Sequence, residues 1–264
     1  MKYDILLQGC YFFDQIFSGM PEFPALGREI FARDLTTTGG AMFITAAALR
    51  RLGTRVSWAA TFGNDYYSKF VYDLAQGEGV DLAFAKHIDR PYRLVTTSVP
   101  FQGERAFITY ADPEPEDEQG YSLKVVEQCD FKHLHFGGFI AYHDLKPLAD
   151  LAHQKGATVS MDCQDGDYLQ QPCACQDALS LVDIFMPNAR EARLITETED
   201  VPVAVQKLTE RAKLVVVKDG ANGAWVGQGG EILHAPAIAV GPVVDTTGAG
   251  DCFNAGFLYG QVVE

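Results

Sequence analysis

Between His133 and Met186, short apolar runs alternate with helix-length segments, and this alternation restricts the possible folds more than any other feature of the chain. His133–Phe136, Thr158–Met161 and Ile184–Met186 read as strands, with Leu145–Gln154 and Ala178–Leu181 as the helices between them. Strands joined through helices return in the same direction. The pattern therefore predicts a mostly parallel, doubly wound α/β sheet with helices on both faces. Leu214–Val217 is an apolar β-branched run of the kind a parallel strand buried on both faces requires. Ile5–Leu7, closed by Gly9, reads as the first strand of the same sheet, and Ile232-Leu233 as the last. With 264 residues and 47% of them hydrophobic, the chain can bury a large core, as one domain with an appendage or as two small domains.

A second feature lies near the end of the chain. Val243 and Val244 end an apolar run, Asp245-Thr246-Thr247-Gly248-Ala249-Gly250 makes a turn, and a helix begins near Gly250. Gly248 and Gly250 let backbone approach a ligand closely, and the unpaired N–H groups of a helix start attract an anion. Asp251 is out of place beside an anion unless it takes a proton from whatever attacks that anion. An anion hole with an adjacent base is the minimum apparatus for phosphoryl transfer to a hydroxyl. The structural alternative is an N-capped strand–helix turn.

Charge and cysteine content narrow the classes further. A net charge of −14 argues against non-specific binding to nucleic acid or to an anionic membrane surface, because both reward basic proteins. No run approaches membrane-spanning length, and the N-terminus lacks a signal-peptide pattern. Six scattered cysteines suit reduced thiols in a cytoplasmic protein better than a disulfide framework. Cys173-Ala174-Cys175 lacks zinc-site spacing, and His133 and His135, at strand spacing, read as a core pair.

Residues 15–38 are broken by Gly19, Pro21, Pro24 and Gly27 and carry two β-favouring runs, Glu29–Ala32 and Leu35–Thr38. Gly39-Gly40 opens an apolar helix over Ala41–Leu52, which Gly53 ends. Arg55–Phe62 is a further strand, followed by a helix from Tyr66 to about Gln76. Leu94–Val99 and Ala106–Tyr110 form a hairpin about Gly103-Glu104-Arg105. The acidic stretch 112–118 reads as a solvated loop. Asn188 and Glu191, spaced as a capping box, can start a helix after Pro187.

The D-T-x-G-A-G-D-x-F string from Asp245 to Phe253 resembles the C-terminal signature of the ribokinase-like (PfkB) carbohydrate kinases. Gly39-Gly40 with Arg51-Leu52-Gly53 resembles that family's first signature, Gly63-Asn64-Asp65 its G-x-D, and Pro187–Ala192 its P-N-x-x-E-A. The resemblance covers essentially the whole chain. It implies a single ribokinase-like domain over residues 1–264, with a small β lid built from about 15–38 and 90–110. It implies that Gly248, Ala249 and Gly250 hold the transferring phosphoryl group and that Asp251 is the catalytic base. It places Asp14 on acceptor hydroxyls, with Gly39, Gly40, Phe12, Phe43 and Ile44 around the acceptor. It places Asn188, Lys218, Gly220 and Thr246 near ATP, Glu191 on Mg²⁺ through water, and Asp245 and Thr247 at a K⁺ site found in some members.

Two positions depart from the pattern. Ile44 stands where the family has a sugar-binding asparagine, and Phe12 replaces a residue that is often polar. Buried sugar hydroxyls left facing these groups would be unpaired, so ribose itself is disfavoured. The implied activity is ATP-dependent phosphorylation of a small sugar or sugar-like hydroxyl. A nucleoside kinase of the same family and a non-catalytic sugar-binding member are the alternatives. Family members continue past the position of Glu264 with further helices, so the usual C-terminal segment is expected to be absent here. Open edges of a β lid also make a homodimer through the lids an expectation.

Overall fold

The computed structural model describes residues 2–263 apart from 103, 165, 167, 168, 170, 171, 239, 240 and 242–245. Its centre is β1 (Tyr3–Gln8), buried at every position. This strand pairs in parallel with β4 (Val56–Ala59) on one side and β9 (Phe131–Phe136) on the other. From β9 the sheet continues in parallel through β10 (Thr158–Asp162), β11 (Ile184–Met186) and β12 (Leu214–Lys218). It ends in the antiparallel pair β13 (Ala224–Gln228) and β14 (Glu231–Ala235). The order of the eight strands is β14-β13-β12-β11-β10-β9-β1-β4. The connections diverge between β1 and β9, and a crevice at the carboxyl ends of the strands is expected at such a switch point.

Helices α1 (Met42–Arg51), α2 (Tyr66–Gly77) and α8 (Ala249–Val262) pack on one face of the sheet. The other face is covered by α3 (Glu118–Gln128), α4 (Tyr142–Gln154), α5 (Pro172–Leu179), α6 (Ala189–Thr196) and α7 (Val201–Thr209). On β9, His133 and His135 are fully buried, and both hydrogen-bond the Ser160 hydroxyl, at 2.6 and 2.7 Å. Desolvation lowers the pKa of both imidazoles.

A second sheet of four strands stands apart from the first, in the order β3-β2-β7-β8. Its strands are β2 (Tyr11–Ser18), β3 (Asp34–Ala41), β7 (Leu94–Phe101) and β8 (Glu104–Ala111). Only Gly9 and Cys10 separate β1 from β2, so the two sheets meet at the carboxyl end of β1. A small parallel pair, β5 (Thr61–Phe62) with β6 (Lys86–His87), completes the strands among the described residues.

Some elements differ from the sequence expectation. Glu29–Ala32 forms no strand, because β2 ends at Ser18, opposite Asp34, and leaves residues 29–32 without a strand beside them. The strand expected over Arg55–Phe62 breaks at Ala60, whose carbonyl accepts from Lys86 N–H at 2.9 Å and turns the chain toward β6. Helix α7 starts under the side chain of Asp200, which accepts from Val203 N–H at 3.0 Å, and Pro202 lies in its first turn, where it is tolerated. Asp65 caps α2 by accepting from Tyr67 and Ser68 N–H, and its other oxygen accepts from Tyr92 N–H at 2.8 Å. That carboxylate fastens α2 to the segment leading into β7.

The junction of β3 and α1 is strained. Ala41, the N-cap of α1, has φ 50° and ψ −129°, a backbone conformation that suits glycine, and no side chain caps the helix. Ala41→Gly is expected to raise stability by about 1 kcal/mol net of the entropic cost of glycine. A urea titration checks this, and an unchanged or lower midpoint would show that the junction carries no strain.

Candidate active site

The first turn of α8 begins at Gly248, whose φ of +73° lies in the left-handed region. A Cβ on Gly248 would press on the side chain of Ile44, so both backbone and packing demand glycine. Ala249 N–H donates to Thr246 C=O at 3.1 Å and is occupied within the turn. The Gly250 amide has no acceptor among the described residues, and the Asp251 amide reaches only its own carboxylate. These two N–H groups, with the positive end of the α8 dipole, form the anion-binding element. Of the Gly248, Ala249 and Gly250 amides expected to hold a phosphoryl group, that of Ala249 is therefore already engaged.

Asp251 lies in the same turn. Thr45 of α1 donates to its Oδ1 at 3.4 Å. Burial pushes its pKa up to about 7, and the negative charge of Asp162 adds to the rise; the ammonium of Lys218 and the Thr45 hydroxyl oppose it. A carboxyl group that titrates near neutrality is matched to taking a proton from a hydroxyl.

Beneath this turn three side chains close a ring. Lys218 Nζ donates to Asp162 Oδ1 at 2.7 Å and to Asn254 Oδ1 at 3.1 Å, and Asn254 Nδ2 donates to Asp162 Oδ2 at 2.6 Å. Asn254 is 1% exposed and Asp162 6%. The ring ties the ends of β10 and β12 to the first turns of α8. Lys218 Nζ also stands 3.7 Å from where a Cβ on Gly250 would lie, which puts a cation directly behind the anion-binding turn.

Asp14 occupies the middle of β2, opposite Thr38 on one side and Thr96 on the other. It is 8% exposed, its carboxylate has no hydrogen-bond donor among the described residues, and burial raises its pKa to about 6. Any side chain at Gly40 would overlap that carboxylate, and one at Gly39 would overlap the ring of Phe43. Phe12 lies opposite Gly40 in the same sheet. The surface that leads from Asp14 toward Gly248 thus runs across Gly40, Phe43 and Ile44.

Asn188 caps α6 by accepting from Glu191 N–H at 2.9 Å, and Glu191 Oε2 accepts from Asn188 N–H at 2.8 Å. The capping box is therefore formed. Glu191 is only 3% exposed, and burial lifts its pKa to about 7 against the opposing Asn188 hydrogen bond. Asn188 forms a bridge with Lys218, which brings this helix start beside the Lys218 ring. Gly220 begins an exposed 3-10 turn beyond β12, and Thr246 is exposed just before α8. Of the two residues expected at a K⁺ site, Thr247 precedes Gly248 in the turn, while Asp245 lies outside the described residues.

Sequence reasoning left Asp162 without a role and passed over Asn254 and Thr45. Each carried one signal: Asn254 is a polar residue at helical spacing from Asp251 on an otherwise apolar face of α8, and Thr45 is one among alanines. Neither signal names a partner.

The family model for pfkB family carbohydrate kinases matches residues 32–262. The chain belongs to the pfkB family of carbohydrate kinases. A cytidine kinase of Thermococcus kodakarensis is 30% identical over 240 residues, covering 86% of this chain and 81% of that one. An uncharacterized sugar kinase of Archaeoglobus fulgidus is 29% identical over 221 residues, covering 81% and 86%. Among solved structures, Arabidopsis thaliana ribokinase complexed with ribose and ATP superimposes with a TM-score of 0.78 at 22% identity, covering all of this chain and 87% of that one. The fold is ribokinase-like, and the protein is a phosphotransferase with an alcohol group as acceptor.

In this kinase the Lys218 ring is predicted to behave as one unit. Lys218→Met leaves the Asp162 carboxylate buried with hydrogen-bond donors but no counter-charge, and is expected to cost about 3–5 kcal/mol of stability. Adding Asp162→Leu should recover at least half of that loss, because no uncompensated charge remains. Urea denaturation of both variants checks this, and strictly additive losses would show that the two residues act separately.

Proposed function

We propose that the protein transfers the γ-phosphoryl group of ATP to a hydroxyl of a small sugar or sugar-like acceptor. The observation that carries this reading is the Gly250 amide, without an acceptor among the described residues, set beside the Asp251 amide and carboxylate in one helical turn. Asp14, buried and without a donor, accepts hydrogen bonds from the acceptor's hydroxyls and fixes its orientation. The acceptor O–H gives its proton to Asp251 as its oxygen bonds to the γ-phosphorus, and the bond from that phosphorus to the β,γ-bridging oxygen breaks to release ADP. The Gly250 and Asp251 amides take the charge on the phosphoryl oxygens, and the Lys218 ring holds them in place. Glu191, its buried carboxyl kept at the α6 start by Asn188, would hold Mg²⁺ through water, and the ion would supply positive charge to the phosphates. Asn188, Gly220 and Thr246 border the nucleotide.

A nucleoside acceptor is the second reading, favoured by the apolar surface of Phe12, Phe43 and Ile44. The T. kodakarensis relative is a cytidine kinase. The residues form a single domain in which the β3-β2-β7-β8 sheet acts as a lid that excludes water from the site. That sheet leaves Leu35, Phe107, Ile108 and Tyr110 at least half exposed, and a second copy of the chain covers them in a lid-to-lid dimer. Sedimentation is expected to give two chains per particle for the native protein and one for Ile108→Lys; a monomeric native protein would contradict the dimer.

Asp251→Asn is expected to lower kcat by about 10²–10⁴-fold across a panel of sugars and nucleosides. The same variant should be more stable than the native enzyme at alkaline pH. Raising the folded pKa of a carboxyl means that its ionised form is disfavoured in the folded state, so the penalty is full above about 7 and fades as pH falls toward the unfolded value. The gain should be on the order of 2 kcal/mol at alkaline pH, allowing for partial exposure, and should vanish in acid. Undiminished turnover in Asp251→Asn would refute the assigned chemistry.

A further inference from the structure

At the carboxyl ends of β1, β4 and β9, beneath the starts of α3 and α4, lies a cavity of about 540 Å³. Neither Asp14 nor Asp251 lines it. It occupies the switch point of the sheet, and its volume falls in the range that holds a small molecule. Its walls carry the carboxylates of Glu114, Glu116, Glu118 and Asp144 and the side chains of Gln8 and Thr61, with no lysine, arginine or histidine among the described residues. Glu118 is partly neutralised by Lys86 at 3.4 Å and accepts from the Thr61 hydroxyl at 2.9 Å, and Asp144 lies 3.1 Å from the His143 imidazole. Glu114 and Glu116 have no hydrogen bond or ion pair among the described residues.

Gln8 supplies a second, independent observation. It is 5% exposed, and its Nε2 donates to Ser122 C=O at 3.1 Å. Its Oε1 is buried with no donor among the described residues. Leaving a buried acceptor unpaired costs about 1–3 kcal/mol, which a bound N–H group would offset.

We propose that this cavity binds a small organic cation, a primary amine whose N–H groups reach the Gln8 amide oxygen and whose charge is met by Glu114 and Glu116. No three acidic, cysteine or histidine side chains among the described residues converge closely enough for a metal ion. Carboxylates spread around a wall suit a molecule with separated donors, whereas a bare cation needs ligands gathered at one point. The amine has two possible sources: an amino group on the kinase's own acceptor, or a separate amine that binds beside the acceptor. Gly9 and Gly137 line the cavity, and the side chain of Met42 packs against both, so the cavity borders the α1 start that carries Phe43 and Ile44.

Calorimetry on the full chain at neutral pH and low salt tests the proposal without requiring turnover, so it stands or falls separately from the kinase reading. The probes are D-glucosamine and putrescine, with D-glucose as the neutral control. At least one amine is expected to bind about tenfold more tightly than D-glucose, and to weaken as salt is raised. Gln8→Leu, and separately Glu114→Gln with Glu116→Gln, should each lower that affinity at least about fivefold. An ATP-turnover assay with the bound amine then separates the sources: phosphorylation of the amine makes it the acceptor, and binding without phosphorylation makes it a separate ligand. If neither amine outbinds D-glucose, or if affinity is unchanged in both sets of variants, the cavity is not an amine site.

Discussion

The ion pair between Lys218 and Asp162, closed by Asn254, is the interaction on which the site depends. The three residues come from two strands and a helix far apart in sequence, and they meet where the sheet ends and α8 begins. A buried ion pair is weak evidence for stability, since its desolvation offsets most of its attraction. Its value here is geometric. It fixes the depth and rotation of the α8 first turn, and with them the Gly250 and Asp251 amides and the Asp251 carboxylate. The same ammonium is also the cation closest to a region crowded with carboxyl groups, Asp162, Glu191 and Asp251.

That crowding has a cost. Asp14, Glu191 and Asp251 all have pKa values raised by burial, so each of these carboxyl groups resists ionisation in the folded protein. Each is placed against the trend of its own stability, which is how groups held ready for chemistry differ from groups held only for packing. By contrast, Asp65 serves structure alone: donors from α2 and Tyr92 surround it, and its pKa falls despite burial.

Much of the parallel core was readable in the chain, because strands buried on both faces must be apolar throughout and helices between them must be amphipathic. The expected runs Leu214–Val217 and His133–Phe136 correspond to β12 and β9. Elements whose existence depends on a distant partner were not readable. Glu29–Ala32 has the composition of a strand but no neighbour, and Arg55–Phe62 divides because Lys86 draws Ala60 away. The glycine-rich turn at Gly248 was legible because few residue types tolerate that backbone. The demand Ile44 places on Gly248, the Thr45 bond to Asp251 and the Lys218 ring were not, because each joins residues more than thirty positions apart and depends on packing that no local pattern encodes.

The pH dependence of kcat/KM for the acceptor tests most directly whether a buried Asp251 carboxylate drives the reaction. The base must be ionised, so activity should fall as pH drops through about 7. In Thr45→Val, which lacks the hydrogen bond that favours the ionised form, the fall should move to higher pH. A profile flat into the range of an ordinary carboxylate, or one unmoved by Thr45→Val, would contradict the account.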